Sequence, residues 1–583
     1  MRRRALLKSA ALGAVAGLTG RAGAARPAVP EAPASPAATA LPSIEADLPA
    51  AERVLGLSFT DAERKQLVNG YDDVLQTLTR LREINYSNDL PPAARFDPRL
   101  PGRTYAMPKP GAHGPVASAG ALPGSPDRIA LSPAWQQAAW LRARAISSVE
   151  LTQLYLERIG RLAPQLENFI TVTDELALAQ AFRADKDLAR GRVRSALHGV
   201  PYGLKDLFDV AGVRTTWGAE PYKDRIAATN AAVVDKLEQA GTVLLGKTAV
   251  GALAYGDVWH GGVSRNPWNP EEGSSGSSAG SASATAAGLV GFSIGTETLG
   301  SIVSPAHRCG VTGLRPTFGR VSRHGAMAAA WRWDKVGPIA RTVSDCALAL
   351  EIINGGDARD WGSIDAPFGW DWQADAQSLR VGYVPEWFEG ENATDVDRRA
   401  LEAVRVIGAK PIEVSVPDFP YSMLYQLVLA EAAAAFAPLT FSNRDDELRR
   451  QDDMAWPNSI RRAHLFPAVE MVQLERMRCQ VMVAFDGLFS TVDAIIGPSL
   501  APNMISATNA SGHPCLALKA GFLDRPTRTM TNEPLDPKGP LHRVPCTVSL
   551  WAGLFREDVL VTLGRAIEQV LAVTQEHPPI ARS

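Results

Sequence analysis

Apolar and polar positions alternate along this chain in two ways, both of them seen between residues 128 and 583. Short apolar runs such as Val243–Leu245, Leu379–Pro385 and Ala494–Ile496 have the length of buried strands. Ala-rich stretches with helical spacing of their apolar residues lie between these runs. This alternation predicts an α/β fold, in which a sheet is covered by helices.

A capping-box pattern near the N-terminus predicts a small helical extension. Thr60-x-x-Glu63 precedes apolar residues at helical spacing, and the helical segment is expected to end near Arg82. Pro/Gly-rich coil follows. We assign residues 43–127 to this helical extension and its coil.

A second capping box opens the large domain, which we assign to residues 128–583. Ser147-x-x-Glu150 leads into apolar positions at helical spacing. Gly160 is the expected end of this helix, because glycine is common just past a helix C-terminus.

The first 24 residues, MRRRALLKSAALGAVAGLTGRAGA, combine a basic start, a short apolar stretch and a small-x-small end. The pair Arg3-Arg4 resembles a twin-arginine export signal, and an ordinary Sec-type signal is the alternative. An Ala/Pro-rich tether is expected over residues 25–42. The mature protein is therefore expected in the periplasm or outside the cell, with no stable membrane anchor, because the apolar stretch is too short to span a bilayer.

Composition excludes several classes of partner. The formal net charge of -2 gives no electrostatic reason to expect nucleic acid. The five cysteines are few, odd in number and without CxxC spacing, so neither a zinc site nor a disulfide framework is indicated. One disulfide stays open, and no metal or cofactor is expected.

Three motif matches compete, and two of them lack the required context. Gly241–Thr248 matches the phosphate-binding pattern GxxxxGK[ST], but its central residues are apolar and would form a strand instead of a loop. Gly276–Gly280 matches the nucleophile elbow GxSxG around Ser278, but no apolar strand precedes it. The surrounding stretch Gly273–Gly288, GSSGSSAGSASATAAG, has the composition of a flexible linker.

The third match is a constellation of three residues. Lys205 lies in HGVPYGLKDLFDV, Ser277 lies 72 residues later in the serine/glycine stretch, and Ser301 follows 24 residues after that in GTETLGSIVSPAHRCG. Together they resemble the amidase signature family, whose hydrolases use a Ser-Ser-Lys triad. The resemblance extends from about Leu131 to the C-terminus and includes ISSVELTQLYLERI, GPIARTVSDCALAL and TNASGHPCLAL.

The resemblance implies an α/β/α core with a mixed, mainly parallel sheet flanked by helices, and it implies roles for the triad. A neutral Lys205 amine takes a proton from Ser277, which follows a cis peptide bond, and Ser277 relays a proton from Ser301. The Ser301 hydroxyl then attacks the substrate carbonyl. Serine needs such a base, and lysine is neutral near pH 7 only in a buried, desolvated site.

The oxyanion donors are expected among the backbone N–H groups of Thr298, Leu299 and Gly300. The sequence departs from the family pattern here, because Leu299 replaces a glycine and Val303 replaces an arginine. The Leu299 side chain restricts φ and could narrow an acyl pocket. Without the arginine, Glu297 lacks its usual charge partner, so the loop must be braced in another way.

Neighbouring residues have two interpretations each. Asp206 and Ser278 support the triad or form plain loop hydrogen bonds. The aromatic stretch Trp361–Trp372 is a substrate wall or lid, or it packs an insertion. His307 and His324 follow the nucleophile and are expected to be structural, since Lys205 supplies the base.

The sequence thus predicts an exported amidohydrolase that cleaves the C–N bond of a small-molecule amide through an acyl-serine intermediate. Three alternatives stay open: an esterase or carbamate hydrolase on the same triad, the glutamine-hydrolysing A-type subunit of an amidotransferase, and an inactive binding homologue. The oligomeric state is also open, with a homodimer as one of the states considered.

Overall fold

The computed structural model describes residues 44–68, 71–83, 86–108 and 120–582. The expected export signal and tether lie outside these residues. The chain forms two compact units, one ending at Thr77 and one running from Leu78 to Ser583. A domain boundary between residues 127 and 128 stays a prediction.

The first unit contains the predicted N-terminal helical segment, with α1 (Leu48–Leu55), α2 (Asp61–Val68) and the beginning of α3 (Tyr71–Glu83). Thr60 and Glu63 pair at the beginning of α2 as the sequence predicts: the Thr60 hydroxyl accepts the Glu63 N–H at 3.4 Å, and the Thr60 N–H donates to the Glu63 carboxylate at 2.7 Å. Glu52 of α1 is buried and accepts hydrogen bonds from the Arg64 guanidinium at 2.8 and 2.9 Å. This ion pair joins α1 to α2.

The second unit holds the remaining helices and all the strands of the described residues. Its helices are α4 (Pro126–Leu131), α5 (Ala134–Ala143), α6 (Ser148–Leu166), α7 (Asp174–Ala189), α8 (Ala232–Gln239), α9 (Ala279–Ala286), α10 (Val303–Cys309), α11 (Val343–Ile353), α12 (Glu386–Glu389), α13 (Asp395–Ile407), α14 (Tyr425–Ala435), α15 (Ala437–Phe441), α16 (Trp456–Ala463), α17 (Ala468–Thr491), α18 (Met504–Ser511) and α19 (Glu557–Leu571). Single 3-10 turns occupy Glu220–Tyr222, Ala252–Ala254, Tyr421–Leu424, Arg444–Glu447 and Pro579–Arg582.

The strands are β1 (Phe169–Val172), β2 (Pro201–Lys205), β3 (Val243–Thr248), β4 (Val258–Trp259), β5 (Gly262–Val263), β6 (Arg265–Asn266), β7 (Asn269–Gly273), β8 (Phe292–Glu297), β9 (Thr312–Arg315), β10 (Lys335–Ala340), β11 (Arg380–Tyr383), β12 (Lys410–Glu413), β13 (Ala494–Pro498), β14 (Cys515–Pro526) and β15 (Leu541–Ala552).

Eleven of these strands form one sheet in the order β1-β3-β2-β8-β10-β9-β14-β15-β13-β11-β12. Parallel pairs lie in two blocks, β3-β2-β8 and β13-β11-β12, and antiparallel pairs join the blocks. β2, β3 and β8 are buried along their whole length, as expected for strands covered on both faces. The predicted α/β fold, a mixed sheet flanked by helices, is confirmed.

Local predictions meet three different outcomes. Residues Val243–Thr248 of the phosphate-loop match form the buried strand β3, as their apolar character predicts. The linker-like stretch Gly273–Gly288 is almost entirely buried and contains α9, so it is not a linker. The predicted helix end at Gly160 is wrong, because α6 continues to Leu166 with Leu162 and Leu166 packed in the core.

Candidate active site

Lys205, the last residue of β2, is fully buried and its amine is held by hydroxyl and carbonyl groups. The Nζ donates to Ser277 Oγ at 2.8 Å, to Thr296 Oγ1 at 2.8 Å and to the Thr296 carbonyl at 3.3 Å. Among the described residues no carboxylate lies within hydrogen-bond distance of this amine. Burial lowers the pKa of Lys205 to about 7, although the nearby charges of Asp334 and Glu297 act in the opposite direction.

The two predicted triad serines lie on neighbouring backbone segments. The peptide bond between Gly276 and Ser277 is cis, as the family resemblance implies. The Ser278 N–H donates to the Ser301 carbonyl at 3.1 Å and so joins the serine/glycine stretch to the loop after β8. A Cβ on Gly276 would lie 1.9 Å from the Gly256 carbonyl oxygen, so only glycine fits there.

Exposure increases along the predicted triad. Lys205 is 0% exposed, Ser277 1% and Ser301 9%, so of the three side chains Ser301 is the one most open to an incoming molecule. Within the described part of the chain the Ser301 hydroxyl forms no hydrogen bond. The arrangement therefore has a shielded base at one end and an accessible hydroxyl at the other.

The loop before Ser301 presents free backbone donors. In the part of the chain that the structure describes, the N–H groups of Leu299, Gly300 and Ser301 have no acceptor. Gly300 has a φ of +88°, whereas Leu299 is not among the residues with a positive φ. The leucine that replaces the family's glycine therefore occupies ordinary backbone and adds no strain. The Thr298 hydroxyl donates to Asp334 at 2.5 Å, which fixes the beginning of the loop.

Glu297 braces this loop from inside. One carboxylate oxygen accepts the N–H groups of Ile302 and Val303 at 2.9 and 3.0 Å, at the beginning of α10. The other accepts Arg315 at 2.7 Å and Asn509 at 2.8 Å. Burial raises the pKa of a carboxyl, but here the Arg315 charge and the hydrogen bonds outweigh it and lower the pKa of Glu297 to about 2. Arg315 thus supplies the charge that Val303 lacks.

Asp206 anchors the turn that follows Lys205. Its carboxylate accepts the Lys247 amine at 2.9 Å, the Thr216 N–H at 2.8 Å and the Thr216 hydroxyl at 2.6 Å. It makes no contact with the Lys205 amine among these hydrogen bonds. Asp206 therefore fixes the backbone beside Lys205 through a buried ion pair with Lys247.

Ser278 lies on the other side of the same site. Its hydroxyl donates to the Thr296 carbonyl at 3.1 Å and accepts the Thr296 N–H at 3.2 Å. The Thr296 carbonyl also accepts the Lys205 amine. Ser278 thus positions Thr296, and Thr296 in turn binds the Lys205 amine. The hydrogen bonds of Ser278 therefore support the environment of Lys205.

A cavity opens beside Thr296. It encloses about 60 Å³ within a recess of about 590 Å³ that includes open solvent. His324 and Trp361 are among the residues that line it. The aromatic stretch is therefore divided, because Trp361 faces this cavity while Trp370 and Trp372 pack against each other and the Arg565 guanidinium.

His307, in contrast, is half-buried and does not line this cavity. Its Nδ1 lies 2.9 Å from the Thr547 hydroxyl, and burial together with the charge of Arg528 lowers the pKa of His307 to about 3. It is a neutral packing residue.

Sequence reasoning missed four contributors to the site. Thr296 lies within the quoted GTETLGS motif, so its position next to Glu297 was a usable signal. Lys247 lies in the stretch that matches the phosphate-binding pattern and forms β3 instead. A lysine in a buried strand needs a partner of opposite charge, and that requirement was a usable signal. Arg315 and Asp334 carried no local signal, because strand pairing brings them near: β10 pairs with β8, which places Asp334 beside Thr298, and β9 pairs with β10, which places Arg315 near Glu297.

The described residues hold neither a metal-binding cluster nor a membrane-spanning helix. Among residues 44–68, 71–83, 86–108 and 120–582, no group of His, Cys, Asp or Glu is placed to hold a metal ion. Within the same residues, no helix is both long and apolar enough to cross a membrane. The five cysteines, all of them described, are free thiols.

Comparison with known proteins identifies the family. A family model described as Amidase matches residues 150–518. The A subunit of the glutamyl-tRNA(Gln) amidotransferase from Methylococcus capsulatus is 35% identical over 466 residues, which cover 74% of this chain and 95% of that protein.

Solved structures agree in fold. The native peptide amidase of Stenotrophomonas maltophilia superposes with a TM-score of 0.65 at 26% identity, covering 77% of this chain and 98% of that one. A bacterial aryl acylamidase of the amidase signature family gives a TM-score of 0.66 at 21% identity, with 77% and 99% coverage. The chain belongs to the Amidase family, that of the amidase signature enzymes.

Proposed function

We propose that this chain hydrolyses a carboxylic amide through an acyl intermediate on Ser301, with Ser277 as proton relay and Lys205 as base. The observation that carries the proposal is the environment of Lys205. Its amine is buried, lies 2.8 Å from the Ser277 hydroxyl and has no carboxylate partner among the described residues. A neutral lysine in contact with a serine hydroxyl is a competent base.

The chemistry follows in two steps. In the first, Lys205 takes the Ser277 proton, Ser277 takes the Ser301 proton, and the Ser301 oxygen bonds to the amide carbon. The oxyanion is held by the free N–H groups of Leu299 and Gly300, each worth about 3–4 kcal/mol in the transition state. The C–N bond then breaks, and the proton returns through Ser277 to the departing amine.

In the second step water hydrolyses the acyl-Ser301 ester. Lys205 and Ser277 remove a proton from the water, the oxygen of the water bonds to the acyl carbon, and the proton returns to the Ser301 oxygen. The carboxylic acid leaves and the enzyme is restored. Esters and carbamates would follow the same path.

The identity of the amide has two candidates. The similarity to the A subunits of amidotransferases, 35% over most of both chains, favours glutamine as the amide and a partner protein as the destination of the ammonia. The N-terminal sequence, which resembles an export signal, favours an amidase acting alone outside the cytoplasm. The similarity to peptide amidase is weaker, at 26% identity. The higher identity thus supports the amidotransferase candidate more strongly.

Replacement of Ser301 tests the mechanism. We expect Ser301→Ala to abolish both amide hydrolysis and covalent labelling by a fluorophosphonate, with the fold retained. Ser281→Ala is the matched control, because Ser281 is also a buried serine, in α9, bonded to Thr248 at 2.8 Å. Full hydrolysis in Ser301→Ala would refute the mechanism, and an unlabelled native protein would favour an inactive binding homologue.

A substrate panel separates the two candidates. Purified full-length chain is assayed with glutamine and with aliphatic, aryl and peptide C-terminal amides, esters and carbamates. Hydrolysis confined to glutamine, together with cytoplasmic retention of the tagged chain, would establish the amidotransferase candidate. Turnover of other amides by an exported chain would establish the free-standing amidase.

A further inference from the structure

The cavity beside Thr296 lies between the two segments that carry the proposed catalytic groups. On the lysine side, the Met327 N–H donates to the Leu207 carbonyl at 2.9 Å, two residues after Lys205. On the oxyanion side, Asp334 accepts the Thr298 hydroxyl. Residues 323–336, which supply most of the cavity lining, are therefore bonded in two places. One bond reaches the turn after Lys205, and the other reaches the loop before Ser301.

Residues 86–108, which we call the strap, contribute two of the residues that line this cavity, Asp89 and Pro91. The Asn88 side chain pairs with the Ala328 backbone, donating to its carbonyl at 3.0 Å and accepting its N–H at 2.7 Å. The Trp331 indole donates to the Asn88 carbonyl at 3.0 Å, and Arg95 donates to the Trp361 carbonyl at 2.8 Å. Asp89 follows Asn88 directly, so these hydrogen bonds hold Asp89 at the mouth of the cavity.

The charged side chains that line the cavity include more carboxylates than the two arginines can pair with. Its two guanidinium groups are each paired with an aspartate, Arg323 with Asp360 at 2.6 Å and Arg359 with Asp357 at 3.0 Å. The lining carboxylates Asp89 and Asp334, in contrast, have no ion pair with any described residue.

The Asp and Arg side chains of the lining that lack an ion pair are therefore both carboxylates, Asp89 and Asp334. Asp89 is exposed at the mouth, where it is available to an incoming group. Asp334 lies deeper, bonded to the N–H groups of Ala329 and Ala330 at 2.9 and 3.1 Å.

Two indole rings complete the lining. Trp331 and Trp361 both face the cavity, and Trp361 is 49% exposed, so its ring is open to a ligand. Aromatic faces combined with carboxylates attract organic cations. We propose that this cavity binds a cationic group of the amide substrate, with Asp89 of the strap and Trp361 as specificity-determining residues.

This inference rests on the proposed function, because it concerns the substrate of the same Ser301. Two fluorophosphonates of equal shape test it, one ending in a trimethylammonium group and one in a tert-butyl group, each at several linker lengths. The measured quantity is the ratio of the two labelling rate constants at Ser301. We expect the native full-length chain to favour the cationic probe at one or more linker lengths.

The strap supplies a matched pair of variants. Asp89→Asn is expected to lower the ratio of cationic to neutral labelling by about two- to fivefold, the range for an exposed charge pair. Asp97→Asn is the control, because Asp97 is an acidic strap residue that pairs with Arg99 and does not line the cavity. Trp361→Leu is expected to lower the ratio by about the same factor through loss of the cation–π contact.

The possible outcomes separate the inference from the proposed function. Labelling by the neutral probe with no preference for the cation at any linker length would overturn the inference and leave the Ser301 mechanism standing. An equal ratio in Asp89→Asn and native chain would also overturn it. Absence of labelling by both probes would overturn the proposed function and the inference with it.

Discussion

Two buried lysines lie on neighbouring strands of the sheet, one register position apart, and have different partners. β2 and β3 are parallel neighbours, and Lys205 stands opposite Thr248, the residue after Lys247. Both lysines are 0% exposed. The Lys247 amine bonds to the Asp206 carboxylate at 2.9 Å, whereas the Lys205 amine bonds to the Ser277 hydroxyl at 2.8 Å.

The difference shows that burial alone does not make a lysine a base. Burial lowers the pKa of both amines, and for Lys247 the charge and hydrogen bond of Asp206 oppose that effect at contact distance. For Lys205 the opposing charges of Asp334 and Glu297 lie farther away than a hydrogen bond, and its pKa falls to about 7. One lysine is therefore suited to an ion pair and the other to proton transfer.

The largest expected effect is on activity, in Lys205→Met. Loss of the base should lower kcat for amide hydrolysis by about 10²- to 10⁴-fold. The free energy of unfolding should change little, because methionine removes the cost of a buried amine but leaves the Ser277 and Thr296 hydroxyls without their donor. Steady-state kinetics and thermal unfolding measure the two quantities. A Lys205→Met variant with native activity would show that Lys205 is not the base, and the functional difference from Lys247 would be refuted.

Lys247→Met should show the reverse pattern. The change leaves the Asp206 carboxylate buried and unpaired, which should lower the free energy of unfolding by about 3–5 kcal/mol. The double variant Lys247→Met/Asp206→Asn should recover most of that loss, because no unpaired charge remains. Denaturant unfolding measures both, and kcat of the folded fraction should stay close to the native value, because Lys247 makes no contact with the Lys205 amine. A stable but inactive Lys247→Met would show that this lysine is part of the proton path.

The pH dependence of activity sharpens the same comparison. Because Lys205 must be neutral to act, kcat/KM should rise about tenfold per pH unit below pH 7 and level off above it, near the pKa of about 7. Stability should also rise with pH between about 7 and 10.5, since in that window the unfolded chain holds a proton on Lys205 that the folded chain has lost.

A pH profile of kcat/KM at constant ionic strength checks the activity. The native chain and the Lys247→Met/Asp206→Asn variant should share the same acid limb, because that pair makes no contact with the Lys205 amine. Activity that is independent of pH from 5 to 8 would contradict the assignment of Lys205 as base.

Much of this site can be predicted from sequence because its parts occur in motifs. The resemblance at Lys205, Ser277 and Ser301 led to three residues that the fold brings together, although they are spread over about a hundred positions. The serine/glycine stretch can be assigned correctly only from its neighbours, since composition alone predicts a linker. The end of α6 was misjudged because packing of Leu166 overrides the local preference of Gly160.

The remaining parts depend on long-range pairing that local patterns do not encode. The Glu297 carboxylate accepts hydrogen bonds from Arg315 and Asn509, and Asn509 lies 212 positions away in the sequence. The strap meets the domain through Asn88 and Ala328, 240 positions apart. Such contacts follow from strand order and packing, so no window of sequence could have predicted them.

The smallest expected effect is that of Ser278→Ala. Ser278 and Lys205 share Thr296, whose carbonyl accepts from both and whose N–H donates to the Ser278 hydroxyl. Removal of that hydroxyl leaves the buried N–H without its partner, so the free energy of unfolding should fall by about 1–3 kcal/mol. Because the Thr296 hydroxyl still holds Lys205 at 2.8 Å, kcat should change less than in Ser277→Ala, and the acid limb of kcat/KM should keep its midpoint. A displaced midpoint in Ser278→Ala would instead mean that the partners of the Thr296 backbone, more than burial, determine how Lys205 differs from Lys247.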